Sequence, residues 1–192
     1  FLHKGSDALD LLTEAKLERR FRAATRDLSR LYAGYYVAEL LQDLTDNGDP
    51  HPRLFQAANQ TLQDLDNTVD VAAAVLRFEL LLLQEVGHMP ALDQCVGCGA
   101  AIEEGHRKRV VFGQLAGGVL CEVCRPGQKQ VVSLSTSVLS VMRLFSAPNE
   151  EWRNVALERS IRGEVRGLMN QYFANLLGHR PRMHRFLGVL NR

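Results

Sequence analysis

The four cysteines of this chain fall in two Cys-x-x-Cys pairs, Cys95 with Cys98 and Cys121 with Cys124. Two intervening residues allow a tight turn to direct both thiolates at one metal ion, and two such turns complete a tetrahedral shell. Four thiolates leave no open coordination position, so the pattern predicts one structural Zn²⁺ rather than a catalytic metal. Two disulfides, a dithiol redox pair and a rubredoxin-like iron centre are the alternatives for the same residues.

The segment between the two pairs is long enough for a short antiparallel excursion and too short for a domain. β-Branched and aromatic residues lie on both sides of Gly117-Gly118 within residues 109–121, which is typical of a β-hairpin. We therefore interpret residues 93–128 as a zinc ribbon, a small β-hairpin held by the four cysteines.

Hydrophobic periodicity predicts three helices before the ribbon. Apolar residues recur at steps of three and four over residues 16–45, which indicates one long amphipathic helix. Pro52 suits the first turn of a second helix over residues 52–66. Asp70 is a suitable N-cap for a third helix over residues 71–86, which is so apolar that it should lie at the centre of a bundle.

Past the ribbon the same criteria predict three more helices, over residues 135–145, 150–177 and 183–190. The predicted fold class is therefore mainly α, a helical bundle domain with the ribbon inserted between its third and fourth helices. Residues 16–92 and 129–192 would form the helical domain.

The formal net charge of +1 conceals an uneven distribution, because residues 38–104 are strongly acidic and residues 105–192 are strongly basic. Such a division indicates one region that meets polyanions and another that repels them. Arginine and lysine are concentrated in three clusters, which are candidates for contact with the phosphates of nucleic acid. The clusters are Arg19, Arg22 and Arg26; Arg107, Lys108 and Arg109; and Arg159, Arg162 and Arg166.

The sequence has no nucleophile elbow, no phosphate-binding glycine loop and no HExxH motif, which argues against an enzyme with a small-molecule substrate. It has no apolar run of about 18 residues and no signal-peptide pattern at its start, so we expect a cytoplasmic protein that does not enter a membrane.

Two acids, Glu39 and Glu79, interrupt apolar helical stretches. We expect buried or half-buried ion pairs between bundle helices, with Arg77 and the basic helix over residues 150–177 as candidate donors. Three tyrosines of the first predicted helix recur at helical steps, which favours core positions over stacking on bases. They are Tyr32, Tyr35 and Tyr36.

Three segments carry a family resemblance. They are Tyr35-Tyr-Val-Ala-Glu-Leu-Leu41, Arg77-Phe-Glu-Leu-Leu-Leu-Leu-Gln-Glu-Val-Gly-His-Met-Pro-Ala-Leu-Asp-Gln-Cys-Val-Gly-Cys98 and His179-Arg-Pro-Arg-Met-His-Arg-Phe-Leu187. A helix followed by Gly-x-x-Pro-x-Leu-x-x-Cys-x-x-Cys is the most specific of these features. Over nearly its whole length the chain resembles RecO, a family of bacterial recombination mediators. RecO proteins begin with an OB-fold, so the resemblance implies that residues 1–15 are an OB-fold remnant and that the chain is a fragment.

The resemblance also implies a function. RecO proteins bind and anneal single- and double-stranded DNA, and with RecR they help to load RecA on strands coated by the single-strand binding protein SSB. The expected role is therefore DNA repair and recombination in the bacterial nucleoid, with zinc as a stabilising element. The rival interpretation is an assembly adaptor that does not bind DNA directly and whose acidic half binds a basic partner.

A last expectation concerns SSB. The resemblance implies that the flexible tail of SSB ends with acidic residues, followed by an apolar residue and a free carboxylate. Such a peptide needs an apolar notch beside a cation, which the basic helices after the ribbon are expected to supply. The candidate residues for this contact are Arg166, Leu168, Phe173, Leu176 and Arg180.

Overall fold

The computed structural model describes residues 11–25, 27–67, 69–102 and 108–191. This part of the chain contains five α-helices, three 3₁₀ helices and one three-stranded sheet. Two of the predicted DNA contacts, Arg26 and Arg107, lie outside the described residues, as do residues 1–10 of the predicted OB-fold remnant.

The five α-helices begin and end where local side chains satisfy the backbone. Their bounds are α1 Leu28–Leu44, α2 Pro52–Asp66, α3 Val71–Glu85, α4 Thr136–Ser146 and α5 Arg159–Leu177. Oxygens of Asp27, Asp70 and Ser135 accept hydrogen bonds from backbone N–H groups in the first turns of α1, α3 and α4. α2 begins instead with Pro52, which needs no N–H partner. Gly178 ends α5 in the left-handed conformation, with φ of 73°.

The sheet consists of β1 (Arg109–Gly113), β2 (Gly118–Leu120) and β3 (Val131–Ser135). The strands are antiparallel in the order β2-β1-β3, and β1 with β2 forms the predicted hairpin. The third strand was not predicted from the sequence. Because β3 runs directly into α4, the sheet is joined to the helical domain without a linker.

α3 lies at the centre of the helical packing, as its composition predicts. Residues 73–80 are buried without interruption, and Phe78, Leu80 and Leu82 have no exposed surface. α1, α2 and α4 all contact this helix. Each fully buried Leu or Phe side chain contributes about 1.5–3 kcal/mol to folding, so α3 supplies a large share of the core energy.

The first predicted helix, over residues 16–45, is wrong before Leu28. α1 begins only at Leu28, residues 12–22 have no regular secondary structure, and Leu17 is 67% exposed. The apolar positions in this stretch are sparse among charged residues, so a helix here would have little apolar surface to bury. The segment is tied down where the Ala23 N–H donates to Asp66 Oδ1 at 2.6 Å.

The predicted helix over residues 150–177 is also wrong, because it is interrupted near its start. Glu151–Asn154 forms a 3₁₀ helix, and α5 begins at Arg159 after an extended stretch. Trp152 accounts for the break. Its side chain is only 2% exposed and packs on Phe145, with 5.8 Å between ring centroids, so burial of this ring favours the irregular backbone.

The last predicted helix, over residues 183–190, is a 3₁₀ helix spanning Arg182–Asn191. Glu39 of α1 fixes its start, because its two carboxylate oxygens accept hydrogen bonds from the backbone N–H groups of Arg182 and Met183, at 2.6 and 2.9 Å. The expected ion pair of Glu39 is therefore wrong among the described residues. The carboxylate satisfies backbone donors at a helix start instead.

Candidate metal centre and basic surfaces

The four cysteines converge at one end of the sheet. Their Sγ atoms all lie within 4.8 Å of one another, the Cys98 and Cys121 sulfurs are 3.8 Å apart, and none of the four forms a disulfide. Tetrahedral coordination with metal–sulfur bonds of about 2.3 Å requires sulfurs about 3.8 Å apart. The four thiols therefore fit a single tetrahedral metal ion, and the disulfide alternative is wrong.

Backbone hydrogen bonds shape the first Cys-x-x-Cys turn. The Cys95 N–H donates to the Ala100 carbonyl at 2.7 Å, and the Gly99 N–H donates back to the Cys95 carbonyl at 2.8 Å. Gly97 allows the second pair to approach, because a Cβ at this position would lie 3.1 Å from Cys124 Sγ. A larger residue here would separate the two pairs.

The thiols differ in acidity because of their surroundings. The backbone N–H of Cys121 donates to Cys95 Sγ at 3.3 Å and stabilises its thiolate, which lowers the pKa of Cys95 to about 6. Hydrogen bonds among the thiols, first with Cys121 and then with Cys98, raise the pKa of Cys124 to about 12. Such a cluster gives up its first proton readily and its last reluctantly, so a bound cation is needed to ionise all four.

The first cysteine pair is anchored on the edge of β2. Ala91 exchanges hydrogen bonds with the strand, its N–H donating to Gly117 and its carbonyl accepting from Val119, each at 2.9 Å. A Cβ at Gly118 would lie 2.7 Å from the Ala91 carbonyl oxygen, so this position requires glycine. The metal centre is thereby held by the sheet on one side.

Glu164 of α5 fastens the sheet to the helical domain. One carboxylate oxygen accepts from the Ser135 backbone N–H at 3.0 Å, and the other accepts from the Ser135 hydroxyl at 2.9 Å. Arg109 of β1 adds an ion pair with the same carboxylate at 2.9 Å. Phe112 packs edge-on against Tyr172, with 6.2 Å between centroids.

The first basic cluster is exposed on the irregular segment before α1. Arg19, Arg20 and Arg22 line a cavity of about 600 Å³, whose opposite wall is the end of α2. Two carboxylates also line this cavity: Glu18, which is paired with Lys16 at 3.2 Å, and Asp66, whose Oδ1 accepts the Ala23 N–H. Because three arginines outnumber two carboxylates, the cavity lining carries a net positive charge.

The second basic cluster is only partly available. Lys108 is exposed, whereas the Arg109 guanidinium donates to Ser133 and is paired with Glu164. Pairing with an internal carboxylate reduces the positive charge that Arg109 can offer to a phosphate.

The third cluster does not form one exposed basic face. Arg159 is exposed, Arg162 is paired with Asp70 at 3.1 Å, and Arg166 is 8% exposed. The Arg166 guanidinium reaches Glu79 Oε1 at 2.5 Å in the core. Helical periodicity places the three arginines on one side of α5, but α3 covers that side at Arg166.

The expected interior position of Glu79 is confirmed, with its partner on the basic helix after the ribbon. Glu79 has no exposed surface and pairs with Arg166, while Tyr36 donates to its Oε1 at 2.6 Å. Arg77, the other candidate donor, instead donates to the backbone carbonyls of Phe145 and Ala147. Among the tyrosines, Tyr36 is buried and Tyr32 half-buried as expected; Tyr35 is 57% exposed, so its predicted core position is wrong.

The residues predicted to receive an SSB tail do not form one open notch. Leu168 and Phe173 are buried in the core, as is Arg166. Leu176 and Arg180 lie at the surface but border different cavities. The core needs the two apolar side chains that a peptide pocket would have to expose.

Sequence reasoning missed a cavity of about 620 Å³ between α5 and the Arg182–Asn191 helix. Arg180, Arg182 and Arg185 line it together with His184. The available signal was the run His179-Arg-Pro-Arg-Met-His-Arg185, in which every second or third residue is cationic.

Comparison with known proteins decides the family. The sequence model described as "Recombination protein O C terminal" matches residues 25–185. The chain belongs to the RecO family. A protein named "DNA repair protein RecO" from Rhodopirellula baltica is 37% identical over 97% of this chain and 77% of its own length. Its namesakes from Myxococcus xanthus and an Anaeromyxobacter strain are 35% and 34% identical, over 83% and 95% of this chain.

Membership of the RecO family assigns this chain to DNA repair. It confirms the resemblance to RecO that the sequence segments indicated. The alignment with the Myxococcus xanthus protein covers 62% of that relative, so the activities of whole RecO proteins are proposals for this chain. None of the helices in the described ranges is long and apolar enough to cross a membrane.

Proposed function

We propose that this chain is the helical and metal-binding part of a non-enzymatic recombination mediator that binds and anneals single- and double-stranded DNA. The observation that carries the proposal is the cationic cavity lined by Arg19, Arg20 and Arg22, in a chain of the RecO family. Exposed guanidinium groups neutralise phosphates without reading bases, which is what annealing of any complementary pair requires.

The proposed contacts follow the accessible part of the predicted basic clusters. Arg19 and Arg22 are exposed, and so are Lys108 and Arg159. Arg162 contributes less because of Asp70, and Arg109 contributes less because of Glu164. Arg26 and Arg107 remain proposed DNA contacts on the basis of the sequence prediction.

The metal in the four-cysteine site is proposed to be Zn²⁺ in a structural role. Four thiolates suit zinc and fill its tetrahedral shell, so the ion would stabilise the ribbon without taking part in a reaction. A redox-active iron centre has the same ligands. Visible absorbance of the purified protein distinguishes iron from zinc.

RecR, SSB and RecA are the proposed partners, since mediator function consists of replacing SSB by RecA on a single strand. The docking site of the SSB tail is not proposed at Leu168 and Phe173, because both are buried. RecA loading can be followed by strand-dependent ATP hydrolysis on SSB-coated DNA, with and without RecR.

The direct test is a titration of labelled single- and double-stranded DNA at two salt concentrations. Replacing Arg19, Arg20 and Arg22 by Gln should weaken binding of every sequence about equally, by about tenfold or more near 0.1 M salt, and lower the salt slope. The matched control replaces three other exposed cations, Arg53, Arg125 and Lys129, by Gln. If both variants bind DNA with equal affinity, the arginines at 19, 20 and 22 are not the DNA-binding surface.

An adaptor role without direct DNA binding is the second candidate. It is favoured by the apolar tips of the two cysteine turns, where Val123 is 87% exposed and Val96 is 40% exposed. An adaptor would retain no DNA even at low salt, whereas a mediator would lose DNA progressively as salt rises.

A further inference from the structure

The cavity between α5 and the Arg182–Asn191 helix concentrates positive charge in a recess. Arg180, Arg182 and Arg185 line about 620 Å³ of space, and Gly167 lies on the α5 side. None of the three guanidinium groups has an ion-pair partner among the residues that the structure describes. Three unpaired cations around one recess are unfavourable unless solvent or an anion compensates them.

The acids near this cavity are already occupied. Glu39 accepts the backbone N–H groups of Arg182 and Met183 with its two oxygens. Glu79 is paired with Arg166 beneath the surface. Neither carboxylate forms an ion pair with a guanidinium group that lines the recess.

Two side chains already have fixed orientations. Arg185 stacks on Phe186, with its guanidinium carbon 4.7 Å from the ring centroid, which leaves the N–H edges free for an anion. Asn170 accepts a hydrogen bond from Arg166 Nε at 2.8 Å through Oδ1, so its amide NH₂ group is left as a donor. The recess therefore offers hydrogen-bond donors as well as charge.

His184, which also lines the recess, responds to the same field. Its Nε2 lies 3.2 Å from the Tyr36 hydroxyl, and burial together with Arg166 and Arg180 lowers its pKa to about 4. The imidazole is thus neutral at pH 7. The charges that disfavour a proton on His184 favour an anion in the recess.

We propose that this recess, defined by Arg180, Arg182 and Arg185, binds consecutive phosphodiester groups of single-stranded DNA. The inference rests on the proposed DNA-binding function and assigns a site to it. An acidic peptide ending in an apolar residue fits less well, because the nearby apolar side chains of Leu168 and Phe173 are buried. A flexible single strand can enter a recess, whereas the phosphates of a rigid duplex cannot follow it inwards.

The experiment compares two triple variants of this chain with the unchanged chain, using fluorescently labelled oligo-dT and an abasic oligomer of the same length. The cavity variant is Arg180→Gln, Arg182→Gln and Arg185→Gln. The control variant is Arg53→Gln, Arg125→Gln and Lys129→Gln, which removes the same charge from exposed positions elsewhere. Thermal unfolding of each variant checks that it is folded. If the triple cavity variant is not folded, the single variant Arg180→Gln replaces it.

The cavity variant should bind both oligomers at least tenfold more weakly near 0.1 M salt, and its salt slope should be about two lower, since each lost single-strand phosphate contact removes about 0.7. The control should stay within about threefold of the unchanged chain. Because phosphates alone are recognised, the abasic oligomer should show the same loss as oligo-dT.

Three results would overturn the inference. Equal losses in both triple variants would mean that only net charge matters. Unchanged DNA binding by the cavity variant would also reject the inference. If that variant instead lost its binding of an acidic peptide, the recess would be a protein-docking site. A chain that binds no DNA before any substitution would refute the proposed function itself and the inference with it.

Discussion

Arg166 of α5 and Glu79 of α3 form an ion pair in the centre of the helical domain, with guanidinium–carboxylate distances of 2.5 and 3.2 Å. Tyr36 of α1 donates to the same carboxylate, so three helices meet at one acidic group. Burial of two charges costs several kcal/mol, which their attraction and hydrogen bonds must offset. We therefore expect the pair to fix the alignment of the helices more than it adds net stability.

Removing one partner of this pair should be costly. Glu79→Gln leaves the Arg166 charge buried without compensation, and we expect a loss of about 3–5 kcal/mol in the free energy of unfolding, measured by urea denaturation. Asp93→Asn is the control, because Asp93 pairs with Arg143 at the surface and its side chain is 77% exposed. The control should lose less than about 1 kcal/mol.

The combined substitution Glu79→Leu with Arg166→Met tests the same pair from the other side. Apolar replacement of both charges removes the desolvation cost, so this variant should be more stable than Glu79→Gln alone. If the combined variant is the less stable of the two, an uncompensated Arg166 charge does not account for the loss in Glu79→Gln.

Stability should fall as the solution is acidified, partly because of His184. Its pKa is lowered to about 4 in the folded chain, from 6.5 when unperturbed, so between these values the unfolded chain binds the proton more tightly. Stability associated with His184 is therefore complete above pH 6.5 and is lost as pH falls towards 4. Solvent screening reduces the effect to about 1 kcal/mol at pH 5.

Thermal unfolding at pH 7.5 and pH 5 measures this loss. His184→Gln should show a smaller drop in Tm between the two pH values than the unchanged chain, whereas His179→Gln, an exposed neighbour, should show the same drop. Identical pH dependence of the His184→Gln variant and the unchanged chain would contradict the assignment.

Two glycines should respond oppositely to alanine. A Cβ at Gly118 would lie 2.7 Å from the Ala91 carbonyl oxygen, so Gly118→Ala should destabilise the chain by about 1–3 kcal/mol. Gly163 is exposed within α5, and no atom lies within 4 Å of a Cβ there. Gly163→Ala should stabilise by about 0.5–1 kcal/mol because alanine favours the helix. Denaturant titration of both variants distinguishes these signs.

The elements that the sequence predicts well are those with local signals. α3 begins after Asp70 as predicted, and α2 begins at Pro52, because a cap or a proline acts within one turn. The prediction failed before Leu28 and around Trp152, where the outcome depends on whether another element is present to cover the apolar residues. Periodicity carries no information about that partner surface.

The candidate sites follow the same rule. The cysteine cluster could be predicted because ligand spacing is set within each turn. Arg166 could not be recognised as a core residue, since its position on α5 is the same whether solvent or Glu79 lies opposite. The recess at Arg180 and Arg185 exists only because the Arg182–Asn191 helix packs back on α5.

Metal removal should loosen the ribbon and leave the helical domain folded. The purified chain should contain one Zn²⁺, and chelation or Cys95→Ala should release it, because the turns at Cys95 and Cys121 have little apolar core of their own. The helices should persist since Glu164 and the contact between Phe112 and Tyr172 hold the sheet independently of the metal.

Hydrogen exchange measures the ribbon and the helical domain separately. Without metal, the amides of Val96, Gly99 and Arg125, which are hydrogen-bonded around the cysteine turns, should exchange about 100-fold faster, while those of α3 should be unchanged. Val123→Ala is the matched control, because Val123 is 87% exposed beside Cys124 and its truncation should leave metal content intact. Absence of zinc and iron from protein prepared without chelator, or loss of α3 protection on chelation, would refute a structural metal confined to the ribbon.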